Sequence, residues 1–157
     1  MKQTDQRPGW RDYPQKYWQQ VEDGEQLPGL ELPIDYKRIV LNAASTWDWF
    51  PGHHNPEYAR AQGQENIYAS TILFHGVVDR LVTDWAGPRA FIVRRGIRMQ
   101  QSVYPGDTLS AQGQVTRRYR DDAGSALADI EIELRTERGV CVPATVTARL
   151  PEQGDVE

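Results

Sequence analysis

A chain of 157 residues, 39% hydrophobic and 25% charged, is long enough for one cored domain and too mixed to be disordered or fibrous. Its formal net charge of -4 argues against nucleic acid as the main partner, since a phosphate-backbone binder normally carries a basic surplus. One cysteine, Cys141, excludes an internal disulfide, and no apolar run approaches the roughly 18 residues of a membrane span.

Taken in chain order, residues 1–20 read as an arm that docks through Trp10, Tyr17 and Trp18. The arm has no apolar core of the signal-peptide kind, so a soluble, cytoplasmic protein is expected, with neither membrane nor nucleic acid as partner. GEQLPGLELPID (24–35) reads as a turn and a short strand, and YKRIVLNAAST (36–46) as a helix with Ile39, Val40, Ala43 and Ala44 on one face. A loop follows, then a short helix in EYARAQG (57–63) closed by Gly63. IYASTILFHGVVDRLVTDWAGP (67–88) holds the clearest helical period. Phe74, Val77, Val78, Leu81, Val82 and Trp85 fall on one face, Ser70 or Thr71 suits the N-cap, and Gly87-Pro88 stops the helix.

Beyond residue 96 the period changes to two. IRMQQSV (97–103), the run of Leu109, Ala111, Gly113 and Val115, that of Ile130, Ile132 and Leu134, and GVCVPATVTARL (139–150) read as four half-buried strands. A long buried helix with an antiparallel meander is an α+β arrangement, and the simplest packing curls the sheet around the helix as a single hotdog fold. The predicted organisation is an arm (1–20), a hotdog domain (21–151) and a tail (152–157). Such sheets usually pair into dimers.

The stretch TWDWFPGHHNPEYARA (46–61) concentrates the chemistry. Asp48 and His53 are too far apart to share a helix face, and Pro51 pushes Phe50 out of the α region, so the segment must turn. A turn lets a carboxylate and an imidazole face one small volume, one proton acceptor beside one potential donor. An Asp before a Pro-Gly turn also commonly caps its own backbone. Adjacent His53 and His54 rarely bite one ion together and nothing nearby has ligand spacing, so no metal is expected. Trp47 and Trp49 either desolvate Asp48 or anchor the loop. His75 and Asp79, one helical turn apart, read as a polar stripe or a mutually satisfied pair. Cys141 reads as inert core. The arginine clusters (Arg94, Arg95, Arg98 and Arg117, Arg118, Arg120) read as solvated strand faces or as phosphate contacts.

Asp48, Pro51, His53 and Ala59 match in type and spacing the signature of MaoC-like (R)-specific enoyl-CoA hydratases, Asp-x-Asn-Pro-aliphatic-His followed after five residues by a small one. Phe50 stands where Asn is usual, and Gly52 where a branched aliphatic is usual. DWFPGHH, AQGQENIY and VTDWAGP together resemble the catalytic single-hotdog subunit of actinobacterial steroid side-chain enoyl-CoA hydratases, which pairs with a second hotdog chain carrying a DUF35 extension. The resemblance implies hydration of a bulky enoyl-CoA, with Asp48 and His53 as the acid/base pair and coenzyme A entering only as part of the substrate, without a separate cofactor. It sets Trp49, Phe50, Gly52 and Ala69 against the substrate. It gives the oxyanion the backbone N–H of Ser70, at the place of the family's His-Gly, here Ala69-Ser70. A homodimer or a heteromer with a second MaoC-like chain is expected. A hotdog thioesterase and a non-catalytic binding subunit are the alternatives.

Overall fold

The computed structural model describes residues 13–154. Trp10 and the last three residues of the tail lie outside them.

In chain order the elements are β1 (Leu30–Pro33), α1 (Tyr36–Ser45), a 3-10 turn (Pro51–His53), α2 (Pro56–Ala61), α3 (Thr71–Ala86), β2 (Phe91–Ile97), β3 (Thr108–Arg120), β4 (Ala126–Thr136) and β5 (Gly139–Arg149). The strands form one antiparallel sheet in the order β1-β3-β4-β5-β2. Bulges interrupt the registers near Val93, Thr116 and Arg135, and each sharpens the local twist. The sheet curls as a half-barrel around α3, the expected hotdog arrangement.

All six residues of the predicted α3 stripe are buried, with Phe74 fully enclosed. Side chains of this size contribute about 1.5–3 kcal/mol each when taken fully out of water. They meet Leu109, Ala111, Val115, Ile130, Ile132, Leu134, Val142 and Val146 from the concave face. Gly113 lets the helix sit close: a Cβ there would lie 3.3 Å from the side chains of Leu27 and Leu81. Gly87, at φ 87°, ends the helix, and its missing side chain admits the backbone of Pro14 and Gln15.

The described part of the arm is fastened to that helix end and to the sheet. Lys16 N–H donates to Ala86 O at 3.1 Å, and the Trp18 indole N–H to Leu127 O at 3.0 Å. Arg118 and Arg120 stack over the Trp18 ring. Two members of the second arginine cluster therefore clamp the arm.

One strand differs from the sequence expectation. The strand after α3 is Phe91–Ile97, and residues 98–107 run without regular structure apart from a turn. β2 lies at the sheet edge, none of its residues is buried, and a bulge shifts the phase of its alternation, so no continuous two-residue period marks the strand. The apparent alternation in IRMQQSV belongs to the connection.

Candidate active site

The helix α1 stops by a Schellman closure that aims Asp48. Trp47 N–H donates to Ala44 O at 3.4 Å and Asp48 N–H to Ala43 O at 3.0 Å, while Trp47 adopts φ 57°. Glycine usually fills that left-handed position; a tryptophan there costs on the order of 1 kcal/mol. The chain then passes through Pro51–His53, with His53 N–H donating to Phe50 O at 3.0 Å. Asn55 caps α2 through its side chain, accepting from Glu57 and Tyr58 N–H.

This reversal brings Asp48 and His53 together, with His53 Nε2 3.4 Å from Asp48 Oδ2. His53 is buried, and the carboxylate is about a quarter exposed. The other ring nitrogen, Nδ1, lies 2.7 Å from the Tyr68 carbonyl oxygen. A carbonyl only accepts, so Nδ1 carries a hydrogen, and the ring turns Nε2 toward Asp48. Tyr68 N–H in turn donates to Gly52 O at 3.2 Å, so the 67–70 segment is laced to the turn by two bonds. Burial raises the pKa of the Tyr68 phenol, with Tyr58 and Tyr104 adding to it.

Gly52 explains two departures from the family signature at once. A Cβ on Gly52 would lie 2.7 Å from Phe50 Cε1 and 2.7 Å from Tyr68 Oη. The Phe50 and Tyr68 rings fill the volume in which a branched aliphatic would stand, and each packs edge-on against the His53 ring, at 5.5 and 5.2 Å between centroids.

The other sequence-selected residues divide. Ala69 and Ser70 are buried between this turn and α3, and Ala69 N–H donates to Val103 O at 2.9 Å. Ser70 is the N-cap of α3, but its hydroxyl makes no cap bond and donates instead to Asn42 Oδ1 at 2.7 Å. Among the described residues, no acceptor faces the Ser70 N–H, which stands at the positive end of the α3 dipole. Trp47 and Trp49 do not desolvate Asp48 between them: they meet edge-to-face at 6.4 Å and are 82% and 56% exposed, and Phe50 is 43% exposed. The aromatic rim of the site is open to solvent.

His75 and Asp79 do not satisfy each other. Asp79 pairs with Arg95 of β2, while His75 Nδ1 and Asp79 Oδ1 are buried without a partner among the described residues. Cys141 is buried, its thiol donates to Leu134 O at 3.1 Å, and burial pushes its pKa up.

Two residues of the site escaped the sequence reading. Tyr68 acts on His53 through a backbone carbonyl, which no side-chain pattern reports. Asn42 left a signal: it sits three residues after Ile39, a polar side chain near the buried face of α1.

The family model of the MaoC like domain matches residues 19–133. The chain belongs to the MaoC-like family. This MaoC-like chain is 37% identical over 123 residues to the 3-oxo-4,17-pregnadiene-20-carboxyl-CoA hydratase beta subunit of Mycobacterium tuberculosis, across 78% of the chain and 92% of that subunit. It is 29% identical over 101 residues to the (R)-specific enoyl-CoA hydratase of Rhodospirillum rubrum, across 64% of the chain and 69% of the relative. Among solved structures, a chain of the ChsH1-ChsH2 complex from Mycobacterium tuberculosis superposes with a TM-score of 0.77 at 35% identity, covering 83% of this chain and 98% of that one. The (R)-hydratase of A. caviae superposes with a TM-score of 0.76 at 21% identity, covering 85% and 99%, and shares the hotdog fold.

Proposed function

We propose that this chain is the catalytic subunit of an enoyl-CoA hydratase, adding water across the 2,3-double bond of a bulky, steroid-type thioester with Asp48 and His53 as the acid/base pair. The observation that carries this reading is the pair itself: a histidine whose Nδ1–H is committed to a carbonyl, and whose Nε2 faces a carboxylate 3.4 Å away. In the form where Nε2 carries no hydrogen, Nε2 and Oδ2 are both acceptors, and a water lying beside the pair donates one hydrogen to each. Its oxygen lone pair is then free for C3. As the O–C3 bond forms, one member of the pair takes a proton from the water. The same pair returns a proton to C2, and its charge is restored at the end of the turnover.

Negative charge passes through the thioester oxygen on the way. The unpartnered Ser70 N–H at the start of α3 is the donor assigned to meet it, with the helix dipole adding to the stabilisation. Trp49, Phe50, Gly52 and Ala69 border the acyl group. The substrate class rests on the 37% identity to a hydratase beta subunit named for a pregnadiene-carboxyl-CoA, and the open rim at Trp47, Trp49 and Phe50 leaves room for a ring system. A structural match within a two-protein complex supports a second chain as partner, and the outer edge of β2, where Phe91 and Val93 are exposed, is one of the two sheet edges open to it. A cytoplasmic location accords with this chemistry.

The test is substitution of each acid/base group. Asp48→Asn and His53→Gln should each lower kcat for hydration by about 10² to 10⁴-fold, followed by loss of enoyl-thioester ultraviolet absorbance, with circular dichroism unchanged. Both variants retaining activity within a few-fold of the parent would refute the assignment.

A further inference from the structure

We infer that Asn42 is a positioning residue for this reaction, tying the acid/base turn to the oxyanion end of α3 through its bond to Ser70. The inference rests on the hydratase reading above and adds a residue to it.

Asn42 lies in the last turn and a half of α1 and works in two directions. Its backbone carbonyl accepts the Thr46 hydroxyl at 2.7 Å and the Thr46 N–H at 3.1 Å. Those bonds fix the helix end from which the Schellman closure aims Asp48. Its side-chain oxygen accepts the Ser70 hydroxyl at 2.7 Å, across 28 residues of sequence. Ser70 is 2% exposed, so this bond is shielded from water and its loss leaves a buried hydroxyl unsatisfied. The Ser70 side chain thereby gives up the cap bond that an N-cap serine normally makes to its own helix. That local stabilisation is exchanged for a tertiary link between two elements of the site.

The link has a geometric purpose. The turn carries the groups that move protons at C2 and C3, whereas the start of α3 carries the N–H assigned to the thioester oxygen. These must hold their separation to within a fraction of an ångström for all of them to engage one acyl group. His53 is already referred to the 67–70 segment through Tyr68 O. Asp48 has no such bond of its own to that segment. Asn42 supplies one for it, because it belongs to the helix whose end sets the Asp48 backbone and also grips Ser70 directly. Asn42 also lines a cavity of about 200 Å³ between β1, α1 and α3.

The experiment is a double-mutant cycle on Asn42→Ala and Ser70→Ala in the full chain, with its partner chain where the parent requires one. Crotonyl-CoA and 3-oxo-4,17-pregnadiene-20-carboxyl-CoA are the substrates, and butyryl-CoA is the unreactive ground-state ligand. Each single variant should lose roughly ten-fold in kcat, with KM and butyryl-CoA affinity within about two-fold of the parent. The double variant should be no slower than the worse single, because both remove one bond. The exchanged pair, Asn42→Ser with Ser70→Asn, keeps one donor and one acceptor across the gap and should recover most of the loss.

Single variants with the parent's kcat would overturn the inference, as would losses that multiply in the double variant. A change confined to KM or to butyryl-CoA affinity would make Asn42 a ground-state contact and overturn it too. If a single variant fails to fold, the exchanged pair decides: recovered fold and rate support the link, and recovered fold without rate refutes it. A parent that hydrates neither thioester refutes the hydratase reading itself, which an active parent with indifferent variants does not.

Discussion

Between Asp48 and His53 the chain reverses within four residues, and Gly52 supplies the room for it. Substituting Gly52→Ala would press a methyl group onto the Phe50 and Tyr68 rings, and moving Tyr68 disturbs the carbonyl that fixes His53. Overpacking of this kind costs about 1–3 kcal/mol. A urea titration of Gly52→Ala should show that loss, and kcat for enoyl-CoA hydration should fall by roughly ten-fold as the pair loses its geometry. Unchanged stability and rate would show that the rings yield freely. At this scale the sequence carried much of the site. The Asp-x4-His spacing around Pro-Gly required a turn, and Asp48 and His53 do meet. The tautomer-setting carbonyl of Tyr68 and the Asn42–Ser70 bond were not legible, because both are tertiary contacts between segments that no local period connects.

At the scale of elements, legibility followed periodicity. The stripe of α3 and the alternation of β3, β4 and β5 are imposed by one dry face and one wet face, and each was readable. β2 was displaced by several residues because this edge strand has no fully buried face and its bulge breaks the phase of the alternation. It contributes Arg95, which draws Asp79 away from His75. Burial, followed by the nearby Arg95 guanidinium, lowers the pKa of His75 below its ordinary 6.5, with Asp79 offsetting part of the shift. The fold therefore favours the neutral ring. The stability this contributes is present above about pH 6.5 and declines as pH falls toward the folded value, since the unfolded chain then binds the proton more readily. Denaturation by urea at pH 7.5 and pH 5.5 should show a smaller acid-side loss for His75→Gln than for the parent. Equal losses would mean that His75 titrates alike in both states.

The whole molecule presents the Asp48–His53 pair with an exposed aromatic rim and a sheet with a free β2 edge. An exposed edge strand bearing Phe91 and Val93 invites pairing with another chain. Native mass spectrometry of the active protein should therefore give a mass above the 17.9 kDa of one chain, by a second copy or by a different hotdog chain. A fully active 17.9 kDa monomer would contradict the assembly. The α+β hotdog was legible at this scale because element order and burial pattern determine the layers. Whether the pairing is with a copy of this chain or with a different one was not, because an exposed edge strand shows that it can pair and not with what. The central claim is that Asp48 and His53 add water to C3 of an enoyl thioester, and the direct measurement is the mass of the product formed from 3-oxo-4,17-pregnadiene-20-carboxyl-CoA. The account predicts a 3-hydroxyacyl-CoA one water heavier than the substrate, absent with Asp48→Asn. Release of free coenzyme A with the acid as co-product would contradict it and identify a thioesterase.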